Sequence, residues 1–387
     1  VLLGFVLGVS LYAIVVFSRN LQQAADTAPV IPLQAAADSL LKLSVIIPAY
    51  NEAANIATCA TAVLDSSNLS ESQLEIWIVD DQSTDETLAI AQQLQAERQD
   101  PRLNVLVGSP RPEGEVWRGK NWACAQAVEK ATGDWLLFID ADLQVKPGGL
   151  ERAVAFAQTE QADLLTFWMT IACECSAEWL AQPIIANLFA VGFNFAEVND
   201  PASETVFAVG PFMLFRRSAY EQIGGHRGVA DVILEDVTLG RRIKAAGLKL
   251  WYGLGHDLAT VRMYRSFGQL WEGWTKNFHL GTNRNVRGTL YIAFVAFMVF
   301  ALPWVALFLL PWSGLRIVDF CLIMIAIALQ WRIRRLSQPL SNIPMRYWWL
   351  SGGGGLLVSA IAIASIVKVE TGWGWTWRGR ALHQADL

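Results

Sequence analysis

The sequence predicts an α/β domain, a parallel sheet covered by helices, held to a membrane by apolar helices at both ends. Three observations predict it. Between Lys42 and Ile139 short β-branched runs alternate with helical patterns. Polar residues gather where the strand patterns stop, the place where parallel sheets bind ligands. Apolar residues, 53% of the 387, concentrate at the two ends. With 17% charged residues and a mean hydropathy of +0.32, the composition excludes an ordinary soluble protein.

Val1 to Phe17 is nearly uncharged and long enough for a membrane anchor over 1–18, a cleaved leader being the alternative. Residues 19–42, with scattered alanines and two prolines, read as a linker. Strands follow at Lys42–Pro48, Leu74–Val79, Leu103–Val107 and Trp135–Ile139, and helices at Asn55–Leu64, Thr84–Glu97 and Trp122–Ala131. A further helix, Val237–Ala246, stops at Gly247. Three apolar runs within 289–367 predict two or three crossings, one run being free to re-enter or lie at the interface, and 368–387 forms a tail. Arg332, Arg334, Arg335 and Arg346 between the last two runs place that loop in the cytoplasm by the positive-inside tendency. Many of the 17 Trp, among them Trp304, Trp331, Trp348, Trp373 and Trp375, stand near run ends and suit the headgroup level.

Five cysteines (Cys59, Cys124, Cys173, Cys175, Cys321) without metal-ligand spacing support neither a disulfide framework nor a zinc site, and fit buried thiols in a reducing compartment. A net charge of −5 with no basic block excludes a nucleic-acid partner.

The chemistry concentrates in WLLFIDADL, where a buried strand ends in Asp140 and Asp142. Two carboxylates there suit Mg²⁺ or Mn²⁺ held against a diphosphate, although an isolated Asp pair equally serves as a helix cap or turn. Asn51 and Glu52 follow the first strand, and Asp80 and Asp81 the second.

Four stretches, SVIIPAYNEAANI (Ser44–Ile56), IVDDQSTDET (Ile78–Thr87), GKNWACAQAVEKATGDWLLFIDAD (Gly119–Asp142) and ILEDVTLGRRIKAAG (Ile233–Gly247), resemble the family-2 inverting glycosyltransferases over roughly Leu43 to Asn277. The resemblance implies a GT-A (Rossmann-like) nucleotide-sugar domain over 43–285, with an interfacial helix near 268–281. It implies that Pro48, Tyr50 and Glu52 frame the base and ribose of a nucleoside-diphosphate sugar, and that Asp80 or Asp81 accepts a hydrogen bond from the base. Gly119, Lys120 and Asn121 would lie near the diphosphate. Asp140 would face the ribose or the cation, and Asp142 would be the more direct ligand of Mg²⁺ or Mn²⁺. Glu235 and Asp236 match the ED element, with Asp236 as general base; capping the following helix is a compatible role. The stretch Gly210–His226 resembles the acceptor-side region. After the ED element, LWEGWTKNFHLG (Leu270–Gly281) keeps Trp274, which would close over the sugar together with Trp271, Lys276 and Asn277. It has Gly273 where processive members carry Arg. That departure argues for a non-processive enzyme and resembles the carotenoid-directed branch.

Such an enzyme would work at a cytoplasmic membrane face, taking its donor from water and a lipid acceptor, a carotenoid, from the bilayer, with pathway enzymes as possible neighbours. Other acceptors (polyprenyl phosphate, hopanoid, sterol, diacylglycerol) and an inactive membrane scaffold stay open.

Overall fold

The computed structural model describes residues 2–32, 42–312 and 317–382. In chain order the elements are α1 (Leu2–Thr27), β1 (Leu43–Ala49), α2 (Ile56–Asp65), β2 (Leu74–Asp80), α3 (Thr87–Arg98), β3 (Leu103–Val107), α4 (Gly119–Val128), β4 (Trp135–Ile139), β5 (Leu143–Val145), α5 (Gly149–Thr159), β6 (Leu164–Trp168), β7 (Thr170–Ile171), α6 (Ser176–Gly192), α7 (Phe195–Asn199), β8 (Phe212–Arg216) and α8 (Arg217–Gln222). There follow α9 (Glu235–Ala245), β9 (Leu250–Leu254), β10 (Ala259–Val261), α10 (Phe267–Gly281), α11 (Val286–Ala296), a π-helical Phe297–Ala301, α12 (Leu302–Leu309), α13 (Ile317–Ser341), α14 (Ser351–Thr371), β11 (Thr376–Trp377) and β12 (Arg380–Ala381).

The chain divides into two compact units. One comprises Pro29–Thr170 and Phe195–Arg262. Its sheet, seven-stranded among the described residues, has the order β3-β2-β1-β4-β8-β6-β9, with β8 antiparallel to its neighbours. β1 reads LSVIIPA and is buried at every position but Pro48, the continuous apolar run that a parallel strand covered on both faces requires. It runs parallel to β2 and β4, with Ala49 beside Asp80, so the loops after these three strands leave from one edge. β5 and β10 pair beyond Asp142, and the Arg262 amide donates to the Asp142 carbonyl at 3.1 Å. Part of the expected linker is structured. α1 continues to Thr27, and the Ile31 amide donates to the Leu254 carbonyl at 2.9 Å, laying this stretch along β9; linker positions 33–41 lie outside the described residues.

The other unit takes in the chain up to Ala28, Ile171–Asn194 and the chain from Met263. The expected nucleotide-sugar span 43–285 is therefore interrupted: α6 and α10 cluster with the apolar helices. Among the described residues three helices are long and apolar enough to cross a membrane, Gly4–Thr27, Val286–Leu309 and Trp348–Thr371. Arg332, Arg334 and Arg335 do not form a loop as expected. They lie in the body of α13, where Arg334 is buried and donates to the Pro344 carbonyl at 2.6 Å. The tryptophans divide likewise: Trp373 is exposed, whereas Trp375 is buried and Trp304 donates to Gln330 at 2.6 Å.

Close packing in this unit depends on missing side chains. A Cβ on Gly354 of α14 would run into the Leu180 carbonyl of α6, and one on Gly273 into the Tyr264 ring. The second clash gives a physical reason why position 273 holds no arginine. Pro303 has no N–H to donate back along its helix, and the preceding turn widens into a π-helix. Gln330, 1% exposed, repairs the defect by donating to the Val299 and Phe300 carbonyls at 2.7 and 3.0 Å. Replacing it by leucine leaves these carbonyls without that donor, so Gln330→Leu is expected to destabilise the detergent-solubilised protein by roughly 1–3 kcal/mol, read as a lowered midpoint of thermal unfolding.

Candidate active site

Two loops at the carboxyl edge of the sheet are laced together. After β1, Asn51 takes a positive φ of 53°, its amide donates to Ser83 Oγ at 3.0 Å, and its Oδ1 accepts from the Thr84 amide at 2.9 Å. The Glu52 amide donates to Thr87 Oγ1 at 2.7 Å, and Glu52 Oε2 accepts from Asn55 at 2.8 Å. Much of the polar chemistry of these loops thus positions the loops themselves, leaving Pro48 and Tyr50 half-buried at the edge. Asp80 is buried at the end of β2. Its Oδ2 accepts from the Ser83 amide at 3.1 Å, while its buried Oδ1 has no hydrogen-bond partner among the described residues. Asp81, also buried, lies 3.4 Å from Arg111.

The centre of the site is an ammonium between two carboxylates. Lys120, in the first turn of α4, places Nζ 2.7 Å from Asp140 Oδ1 and 2.8 Å from Glu235 Oε1. A cation at a helix N-terminus opposes the helix dipole, so it is the carboxylates that fix it there. Burial alone would lower the basicity of Lys120, but Asp140 and Glu235 override it and hold the ammonium well above its ordinary pKa. Glu235 and Asp236 open α9, where the dipole favours negative charge. Asp236 accepts from the Val237 amide at 2.7 Å. Its carboxyl is pushed up to about 7, first by burial and then by the negative Glu235 beside it, with Lys120 pulling the other way. Gly210 makes room for this carboxylate: a Cβ there would stand 2.7 Å from Asp236 Oδ2.

Asn121, expected near the diphosphate with Gly119 and Lys120, has turned inward. It is fully buried, and its amide donates to the carbonyls of Val229, Ala230 and Val232 at 2.6, 3.2 and 3.0 Å. With the Arg118 amide, which donates to Ala230 at 2.7 Å, it holds the loop that delivers Glu235. Asn121 is thus a positioning residue. Beneath this loop the Tyr220 hydroxyl accepts from the His226 amide at 2.9 Å and shares a second hydrogen bond of 2.8 Å with Nδ1 of the same histidine. Burial, and then the charge of Lys120, lower the imidazole to about 3, so it stays neutral. No local sequence pattern marks Arg111 or Arg118, and Gly210, Tyr220 and His226 are marked only as parts of the Gly210–His226 stretch.

Asp140 and Asp142 leave β4 one residue apart, both partly buried. Among the described residues no three His, Cys, Asp or Glu side chains form a ready metal cage. A carboxylate pair without a cage fits Mg²⁺ or Mn²⁺ of the kind that takes its other ligands from phosphates and water. Trp274 belongs to the other unit, where it is buried, donates to Gln182 at 3.2 Å and packs near Phe189. Its indole N–H is thus engaged within that unit.

Comparison with known proteins gives the family. A model described as Glycosyl transferase family 2 matches residues 44–224, and one described as Glycosyl transferase family group 2 matches residues 135–333. The chain belongs to glycosyltransferase family 2. The chain is 28% identical over 246 residues to a 4,4'-diaponeurosporenoate glycosyltransferase of Staphylococcus haemolyticus (strain JCSC1435), over 62% of each chain. It is 28% identical over 243 residues to the protein of that name in Staphylococcus aureus (strain MRSA252), over 62% of this chain and 61% of that one. The match thus spans about three fifths of the length of these relatives. A mannosyltransferase of Pyrobaculum calidifontis, solved with GDP-Man and Mn²⁺, is similar in structure with a TM-score of 0.50 at 16% identity, covering 95% of this chain and 97% of that one. That likeness is one of fold, and the fold is GT-A.

Asp236 makes stability depend on pH. Its folded pKa lies above the ordinary carboxylate value, so the folded state binds the extra proton, and the cost of ionising it is fully present above about 7 and relieved as pH falls toward the ordinary value. Asp236→Asn is therefore expected to be more stable than the parent at pH 8, by roughly 1–2 kcal/mol allowing for solvent screening, and to lose that advantage near pH 4 in thermal unfolding.

Proposed function

We propose that this chain transfers a single sugar from a nucleoside-diphosphate sugar to a hydroxyl or carboxyl group of a membrane lipid, a carotenoid, inverting the anomeric carbon and releasing the product after one addition. The observation that carries the chemistry is the Lys120 bridge, which brings the end of β4 and the start of α9 together with Asp236 beside it. The carotenoid acceptor is supported by the similarity to transferases named for diaponeurosporenoate. The three long apolar helices support a membrane setting, with the nucleotide-sugar domain on the cytoplasmic side, where the donor is found.

On this reading the unpartnered Oδ1 of Asp80 accepts from an N–H of the base, and Pro48, Tyr50 and Glu52 frame base and ribose. Asp140 and Asp142 would hold Mg²⁺ or Mn²⁺, which when bound supplies Lewis-acid stabilisation of the leaving diphosphate. Gly119 and Lys120 face that diphosphate. An acceptor oxygen forms its bond to the anomeric carbon as the bond to the diphosphate oxygen breaks, and a hydroxyl gives its proton to Asp236. A carboxylate acceptor has no proton to give, so Asp236 is then needed only for positioning.

The test compares lipid extracts by mass spectrometry from carotenoid-producing cells expressing the parent chain or Asp236→Asn. A hexose or deoxyhexose increment on a carotenoid, present with the parent, is expected. For a hydroxyl acceptor Asp236→Asn should lower transfer by about 10²–10⁴-fold, and for a carboxyl acceptor much less. A sugar gained by another lipid while carotenoids stay unmodified would overturn the carotenoid assignment. In vitro, kcat/KM for a hydroxyl acceptor should fall about tenfold per pH unit below about 7, as the base protonates. A flat acid limb would remove Asp236 from that role.

A further inference from the structure

The site carries a cation of its own on one of the carboxylates suited to the metal. Lys120 Nζ lies 2.7 Å from Asp140 and 2.8 Å from Glu235. Both partners of the first contact are open to exchange, since the side chains of Lys120 and Asp140 are 30% and 32% exposed, whereas Glu235 is 9% exposed. Lysine is suited to such a post because its ammonium is a point charge on a flexible stem rather than a rigid fork. The charges argue against a second cation joining it unaided. Asp140, Asp142 and Glu235 contribute three negative charges and Lys120 compensates one, but the ammonium sits on the Asp140 oxygen itself, so a divalent ion arriving alone meets a like charge at an oxygen it needs. A diphosphate changes this balance, because its oxygens accept from the ammonium and free Asp140.

We propose that Lys120 is a placeholder cation: it occupies Asp140 until a diphosphate draws it away, so that the divalent ion and the diphosphate are taken up together and the ion is held weakly by the protein alone. This rests on the metal-dependent reading above and adds an order of binding to it.

The test measures Mn²⁺ binding to the full-length protein in detergent by electron paramagnetic resonance, without nucleotide, and repeats it with inorganic pyrophosphate as the probe. The parent is expected to bind Mn²⁺ alone weakly. Lys120→Gln should bind it about tenfold or more tightly, and the gain should vanish in the Lys120→Gln/Asp142→Asn double variant. Lys120→Arg, which keeps the charge, should stay as weak as the parent. A folded Lys120→Gln protein, checked by circular dichroism, that binds Mn²⁺ no better than the parent would overturn the inference. So would tight binding of Mn²⁺ alone by the parent that is lost in Asp142→Asn, a result that needs no change at Lys120. If the parent holds Mn²⁺ neither alone nor with pyrophosphate, the metal-dependent reading falls and this inference with it. If Mn²⁺ is held with pyrophosphate while Lys120→Gln leaves binding alone unchanged, only the placeholder is lost.

Discussion

The site is organised around one ammonium group. Lys120 stands where β4 ends and α9 begins, and its bridges to Asp140 and Glu235 join segments about a hundred residues apart. Without it, two carboxylates would face each other across a partly desolvated cleft, a costly arrangement. The surrounding structure serves this contact. Asn121, next in sequence, spends its amide on three carbonyls of the approach to Glu235, and Gly210 leaves the space that Asp236 fills. Asp236, beside Glu235, is nonetheless a stronger base than an ordinary carboxylate, first because it is buried and then because Glu235 is negative, with Lys120 opposing the rise.

How much of this was legible in the sequence depends on how far apart the cooperating residues lie. β1, β2 and β4 were readable because nearly continuous apolar runs announce strands buried on both faces, whereas β3, at the edge of the sheet, is only partly buried. Helix starts were readable only approximately: α4 begins at Gly119 rather than Trp122, and α9 at Glu235 rather than Val237. Asp80, Asp140 and Asp236 stood out because their motifs are local. The inward turn of Asn121 was not legible, since its partners lie more than a hundred positions away. Nor was the unit to which Trp274 belongs, because an indole on an amphipathic helix has the same pattern whether it faces a ligand or Gln182.

The apolar unit shows how buried polar groups are tied to partners nearer solvent. His279 on α10 meets Thr289 on α11 at 2.7 Å and Glu370 on α14 at 3.2 Å, and Glu370 is gripped by Arg284 through two contacts of 3.0 and 2.9 Å. Three helices are thereby joined at one level, and each polar group that ties them has a partner on a different element or turn. Such a network restricts which relative rotations of the helices are allowed, a constraint that apolar packing alone imposes weakly.

The π-helical turn at Phe297–Ala301 bears on the helix beyond it. A π turn takes in one residue more than an α turn, so every side chain of α12 is displaced by about 100° around the axis from where uninterrupted α-helix would carry it. Helices α11 and α12 thus form one rod with two azimuths. In the first, Ser359 of α14 donates to the Ala293 carbonyl, and in the second Ala306 packs with Leu7 and Ile323. One inserted residue thus lets a single span serve two sets of neighbours that a regular helix of the same composition would leave out of register.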